Sequence, residues 1–236
     1  MFTAHDYEVA KMIVVGIHLP PQLGVNSSDD TFDSDWVDYE VSKNYSGDFH
    51  IDNGVSKMVI IPENEDFVIK IPFNGMYEYE WDDDEEDYDW ENPSFDYFTG
   101  AHAPDQTDYC WDEMLAIEKA NKAGFGWLFP HTEFLMCQDG IRFYIQEKVR
   151  TSRAFHPVGL SQNSRDTAEN MTYRYQSGNA EWRATIVEVY GEDFWINFVN
   201  WDDENRVGIL TDMHSMNYGY DMSGCPVILD ASGFRN

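Results

Sequence analysis

Apolar residues in this chain keep two different periods, and the change from one to the other falls near Val149. Between Phe49 and Val149 the runs are β-type. Residues 55–61 and 67–71 concentrate branched and aromatic side chains on either side of Pro62-Glu63-Asn64-Glu65-Asp66, a hairpin signal. Residues 132–136 and 141–148 read as two more strands around an Asp139-Gly140 turn. Beyond Val149, apolar residues recur at three and four, predicting helices over 164–175, 180–190 and 193–201. Earlier helices are predicted over 3–15, capped by Thr3, and over 36–43. Another starts at Asp108 or Asp112, runs to Lys122 and is ended by Gly124. A strand-rich half followed by a helical half is the pattern of an α+β fold.

One segment fits neither period. Residues 75–109 contain no Lys or Arg, and their centre interleaves acids with aromatics. Glu78, Glu80, Asp82, Asp83, Asp84, Glu85, Glu86, Asp87 and Asp89 alternate with Tyr77, Tyr79, Trp81, Tyr88 and Trp90. Such a block repels itself and is expected as an exposed insertion. It accounts for much of a formal charge of -29, which excludes direct binding to nucleic acid or to an anionic membrane and favours basic partners. With 42% hydrophobic residues the chain still has enough apolar material for a globular core.

Cys110, Cys137 and Cys225 are isolated and lack CxxC spacing, so no zinc site or disulfide framework is expected, only buried reduced thiols. The N-terminus has no basic segment, and the apolar run 12–19 is far too short to span a bilayer. The histidines have no metal-ligand spacing. A soluble, cytoplasmic protein is expected.

Chemistry concentrates near the C-terminus, in Asp212-Met213-His214-Ser215-Met216-Asn217 and Asp230-Ala231-Ser232-Gly233-Phe234. Metal-assisted phosphoryl transfer needs an Asp to take the proton of an attacking hydroxyl. It also needs an Asn five residues on, and a second Asp thirteen beyond that, to hold Mg²⁺ on the nucleotide phosphates. Upstream, Val68-Ile69-Lys70 ends a β run with a lysine, and Asn53-Gly54-Val55-Ser56-Lys57 precedes it. Glu113 falls on one helical stripe with Ala116, Ile117 and Ala120, whereas Glu118 is rotated away from it.

These motifs resemble the catalytic and metal loops of protein-kinase-like folds over roughly residues 54–234. Their combination is similar to small phage and prophage kinase-like proteins, including the early-expressed serine/threonine kinases of podophages. The resemblance implies a two-lobed fold: an N-terminal helical extension (1–48), a β-rich N-lobe (49–149) carrying the acidic insertion 75–109, and a reduced helical C-lobe (150–236). It implies ATP and Mg²⁺ as cofactors. Lys70 would hold the α- and β-phosphates, Glu113 orient Lys70, Asp212 act as base, and Asn217 and Asp230 bind metal. Gly54, Ser56 and Lys57 would cover the phosphates, and the Glu147 carbonyl and Val149 amide would bond the adenine. In a phage context the protein would act in the host cytoplasm on a host process.

The pattern also departs from the family. Leu210-Thr211 stands where His-Arg usually precedes the Asp, so control through a phosphorylated activation loop is not expected. His214 stands where typical protein kinases carry Lys, as in aminoglycoside and choline kinases. Only Gly54 of the Gly-rich loop is present, Ser232 replaces a glycine, and the sequence ends shortly after Phe234. A second reading follows, in which a catalytically inactive kinase-like scaffold uses the segment from Glu78 to Trp90 to mimic DNA. Its partner would then be a nucleic-acid-binding enzyme of a host defence system, of the restriction or CRISPR type.

Overall fold

The computed structural model describes residues 1–18, 22–23, 25–26, 31–32, 35–53, 57–78, 81–82, 87–88, 94–99, 108–151, 175–212 and 217–231. Side chains are described over 1–18, 37–52, 57–72, 108–150, 183–210 and 217–231. The helices are α1 (Ala4–Val14), α2 (Asp35–Asn44), α3 (Tyr109–Ala123), α4 (Tyr175–Tyr190) and α5 (Glu192–Asn205). The strands are β1 (Gln22–Leu23), β2 (Val25–Asn26), β3 (Thr31–Phe32), β4 (Phe49–Asn53), β5 (Lys57–Pro62), β6 (Phe67–Glu78) and β7 (Trp81–Asp82). They continue with β8 (Asp87–Tyr88), β9 (Ser94–Thr99), β10 (Thr132–Gln138), β11 (Ile141–Glu147), β12 (Arg150–Thr151), β13 (Tyr218–Tyr220) and β14 (Pro226–Ile228). The class is α+β. Two compact units form, one from Met1–Cys110 with Thr132–Glu147, the other from Trp111–His131 with Lys148–Asn236.

The first unit is built on an antiparallel ladder in the order β4-β5-β6-β11-β10. Side chains alternate across a strand, so each strand presents one set to each face. Met58 and Ile60 of β5, Ile69 and Ile71 of β6, Phe143 and Ile145 of β11 and Leu135 of β10 are buried in one core. Val9, Ala10, Ile13 and Val14 of α1 and Val37 and Val41 of α2 share that core, so the two N-terminal helices belong to the same unit as the sheet. Helix α1 begins at a capping box. Thr3 accepts from the Asp6 amide, and Asp6 accepts from the Thr3 amide. The Tyr7 hydroxyl then donates to Glu133 on β10, holding the helix to the sheet edge.

Strand β6 extends well past the 67–71 run visible in the apolar pattern. Its second half, Phe73 to Glu78, pairs with β9, and β9 pairs with β1. The acid-rich segment therefore contributes strands, including the short pair β7–β8, in which Trp81 lies opposite Tyr88 and Asp82 opposite Asp87. The expected hairpin around Asp139 and Gly140 forms, with both residues at positive φ (52° and 81°) as a primed turn requires.

The second unit holds most of α3, a 3₁₀ turn over Gly126–Leu128, helices α4 and α5, and a three-stranded sheet β12-β13-β14. Ala116, Ile117 and Ala120 of α3 form one core with Ile186 of α4, Phe198 of α5, Tyr218 and Ile228. Helix α3 ends before Gly124, at φ +89°, as the sequence implies. Helix α4 starts five residues before the expected 180, and residues 164–174 of the earlier expected helix lie outside the described residues. The cysteine expectation needs correction. All three are free thiols, but only Cys110 is buried, Cys137 is exposed and Cys225 is half-buried. Both of the latter stand beside hairpin turns: Cys137 next to the Asp139-Gly140 turn of β10–β11 and Cys225 in the β13–β14 turn. Among the described residues no helix is long and apolar enough to cross a membrane.

Candidate functional site

The ladder decides which residues of the first unit share a face. Lys70 on β6 pairs with Val59 on β5, and Lys57, two residues before Val59, pairs with Pro72. Lys57 and Lys70 are therefore diagonal neighbours on one face, opposite to the face that enters the α1–α2 core. On β11, Tyr144 pairs with Lys70 and Gln146 with Val68, so both join this face, and Thr132 of β10 pairs with Gln146. Lys57 is only 7% exposed and Lys70 only 4%. Two cationic stems buried on a sheet face are uncommon, since ammonium groups are seldom removed from water without a partner.

Polar side chains on that face are hydrogen-bonded. Gln146 Nε2 donates to Thr132 Oγ1 at 2.8 Å. The Tyr144 hydroxyl donates to Asp108 Oδ2 at 2.6 Å, and Arg142 Nη1 donates to the same oxygen at 3.2 Å. Burial, followed by the bond to Asp108, pushes the Tyr144 hydroxyl far above the ordinary tyrosine range. Asp108 immediately precedes α3, so this cluster fixes where the helix bearing Glu113 begins. Residues 54–56, and with them Gly54 and Ser56, lie outside the described residues.

In the second unit, Glu113 is 1% exposed, on the stripe with Ala116, Ile117 and Ala120. Glu118 is exposed, and its carboxylate meets Lys122 at 2.6 Å, one turn along the helix. The burial pattern thus separates the two acids as the helical stripe predicted.

The thirteen-residue spacing between Asn217 and Asp230 has a structural cause. Strands β13 and β14 form a hairpin in which Tyr218 pairs with Ile228, Gly219 with Val227 and Tyr220 with Pro226. The ladder continues by one bond, from the Leu229 amide to the Asn217 carbonyl at 2.9 Å. The tip is closed by Asp221, whose Oδ1 accepts from the Ser223 amide (2.8 Å), the Cys225 amide (2.9 Å) and the Ser223 hydroxyl (2.7 Å). Asn217 and Asp230 consequently flank the open end of one hairpin. Asn217 is 8% exposed and Asp230 half-buried.

Asp212 is the last residue of a 3₁₀ turn over Ile209–Asp212, and residues 213–216 between it and Asn217 lie outside the described residues, His214 among them. This turn is held by a residue that the sequence pattern did not single out. Asp202, on the last turn of α5, accepts from the Ile209 amide at Oδ1 (3.0 Å) and from the Leu210 amide at Oδ2 (3.1 Å). In the sequence Asp202 stands in a run with Asp203 and Glu204 and reads as solvated charge.

Glu147 ends β11 at the point where the chain leaves the first unit for the second. Its carboxylate binds the α-amine of Met1 at 2.7 Å. Val149 is half-buried. Of the acidic set, the structure places Glu78 at the end of β6, Trp81 and Asp82 on β7 and Asp87 on β8. Glu80, Asp83, Asp84, Glu85, Glu86, Asp89 and Trp90 lie outside the described residues.

Lys57 and Lys70 thus share a face in the first unit, and Asn217 and Asp230 share a hairpin end in the second, which also contains Glu113 and Asp212. Among the described residues no group of three or more His, Cys, Asp or Glu side chains is placed to hold a metal. Asp230 has a carboxylate and Asn217 an amide oxygen, ligand types that hard cations such as Mg²⁺ accept. No family model, curated protein or solved structure matches the chain.

Proposed function

We propose that this protein is a kinase-like phosphotransferase that moves the terminal phosphate of ATP to a serine or threonine of a basic protein. In the phage setting implied by the resemblance, the target belongs to a host process. The observation that carries this reading is the order of parts. An antiparallel ladder β4-β5-β6-β11-β10 carries a buried lysine on its central strand, and α3, which lies between β9 and β10 in the sequence, carries a buried glutamate. A helical unit follows, and its β13–β14 hairpin has Asn217 and Asp230 at the open end. This order of parts supports the kinase-like reading.

In this mechanism Lys70 offsets charge on the nucleotide phosphates and Lys57 adds a second cation on the same face. Glu113 is the buried acid of α3 that this reading uses. Asp212 accepts the proton of the acceptor hydroxyl. Asn217 and Asp230 would hold Mg²⁺, which supplies neutralisation of phosphate charge when bound. The main chain at Glu147 and Val149 reads the adenine edge. A nucleotide-and-Mg²⁺ thermal shift tests the binding step: the melting temperature should rise with ligand concentration, and a flat response sets the reading aside.

One observation favours the second reading, a strongly acidic DNA mimic. Asp82 and Asp87 lie directly opposite in the β7–β8 ladder, where like charges destabilise, and a cationic partner would relieve that cost. Binding to a nucleic-acid-binding enzyme that collapses with added salt and on neutralising Asp82 to Asp87, yet ignores Asp212→Ala, would favour mimicry over phosphotransfer. Binding untouched by those changes would remove it.

A further inference from the structure

The C-terminal end of a helix is an unfavourable place for a carboxylate, because the helix dipole presents partial negative charge there. Asp202 occupies that place and is only 5% exposed. Burial, the largest influence, pushes its carboxyl above the usual range, against the lowering effect of amide bonds from Leu210, Ile209 and Gly208. Helix termination does not require this arrangement. Arg206 already closes α5 in the left-handed region (φ 49°), and the Val207 amide returns to the Asp202 carbonyl at 3.1 Å. What the side chain adds is two acceptors for two consecutive amides, those that open the turn ending at Asp212.

Those bonds add direction to a turn that packing already places: Val207 and Ile209 are buried in the second unit's core and Leu210 packs against it. Apolar packing is non-directional, so these side chains fix where the turn lies and leave the direction of its peptide groups to hydrogen bonds. A carboxylate is planar, and accepting one amide at each oxygen fixes the direction as well as the position of the two peptide groups. An asparagine side chain offers one acceptor and one donor at the same site, and its NH₂ would face an N–H.

We propose that Asp202 is a positioning residue, fixing the backbone turn that presents Asp212. The role in catalysis rests on the phosphotransfer reading of Asp212; the pinning of the turn does not.

Two measurements on the full-length protein separate these. Amide hydrogen exchange on the wild type should show Ile209 and Leu210 as slow exchangers, and Asp202→Asn should speed both while leaving the β13 and β14 amides unchanged. In phosphotransfer assays Asp202→Asn should lower kcat on the order of tenfold to a hundredfold, since small displacements of a reacting group are that costly, with KM for ATP within about twofold. Arg206→Gly, which keeps the left-handed cap and leaves the carboxylate in place, should match the wild type in both. Fast exchange at Ile209 and Leu210 in the wild type overturns the proposal without any variant. Unchanged protection in Asp202→Asn, or a general rise in exchange across the second unit, overturns it also. A wild type without phosphotransfer removes the kinase reading, and the amide exchange alone then decides the pinning.

Discussion

The backbone amide of Leu229 meets the carbonyl of Asn217 at 2.9 Å, and this bond turns a sequence spacing into a place. Without it, Asn217 and Asp230 are two polar residues thirteen positions apart. With it, they border the open end of the β13–β14 hairpin, whose Asp221-centred turn sets the length of chain between them. The spacing seen in the sequence is thus the length of a hairpin.

Lys57 and Lys70 share a face but stand on different strands, and their substitutions should separate kinetically. Lys70→Ala should lower kcat/KM by roughly a hundredfold or more, as loss of a preorganised charge at the phosphates does. Lys57→Ala should raise KM for ATP several-fold with kcat within about twofold, the signature of lost ground-state binding. Steady-state kinetics with circular dichroism to check folding makes the comparison.

The two acids of α3 provide an internal control. Glu113→Gln should reduce phosphotransfer about tenfold or more, because Glu113 is the buried acid of α3 on which the phosphotransfer reading relies. Glu118→Gln, which breaks only an exposed pair with Lys122, should leave both activity and melting temperature unchanged.

Tyr7 should be visible in alkaline unfolding. Its bond to Glu133, reinforced by burial, raises the hydroxyl from 10.0 to about 12. Stabilisation from the protonated hydroxyl is therefore fully present below pH 10 and is lost as pH rises through about 12. Tyr7→Phe should cost about 1 kcal/mol at neutral pH, and the difference from the wild type should vanish in that alkaline window. Urea titrations at pH 7 and above pH 10 measure it.

Asp202 carries the opposite kind of signature, at acid pH. Its carboxyl is raised above 3.8 mainly by burial, so the ionised form is held at a cost near neutrality. That cost is absent below the unfolded value and is imposed as pH rises through the raised folded value. The stability of the wild type relative to Asp202→Asn should accordingly increase as pH falls from 7 toward 4. Paired urea unfolding at pH 7 and 4 reads the sign, and a constant difference would contradict the assigned shift.

Local chemistry was legible in the sequence where a few adjacent residues determine the outcome. Thr3 and Asp6 begin α1, Asp139 and Gly140 turn β10 into β11, Gly124 stops α3, and the stripe through Glu113 is buried while Glu118 is not. What could not be read depends on distant partners. The second half of β6, Phe73 to Glu78, carries Asn74, Gly75 and Glu78 and lacks a strand pattern, and it is a strand because β9 pairs with it. Cys137 alternates with core residues yet faces outward, because a register shift between Phe134 and Met136 changes the alternation along β10. Asp202 is one of three consecutive acids in the sequence, and only the reversal of the chain after Arg206 brings the amides of Ile209 and Leu210 onto it.

The most direct test of phosphotransfer is the transfer of labelled γ-phosphate from ATP, with Mg²⁺, to a serine-bearing lysine- and arginine-rich protein. Wild type, Asp212→Ala and Asp230→Ala should be compared at equal concentration. The wild type should label the acceptor, and each variant should fall by roughly a hundredfold or more, as loss of the base or of a metal-holding carboxylate demands. Equal labelling by all three proteins, or none by the wild type, would contradict the assignment.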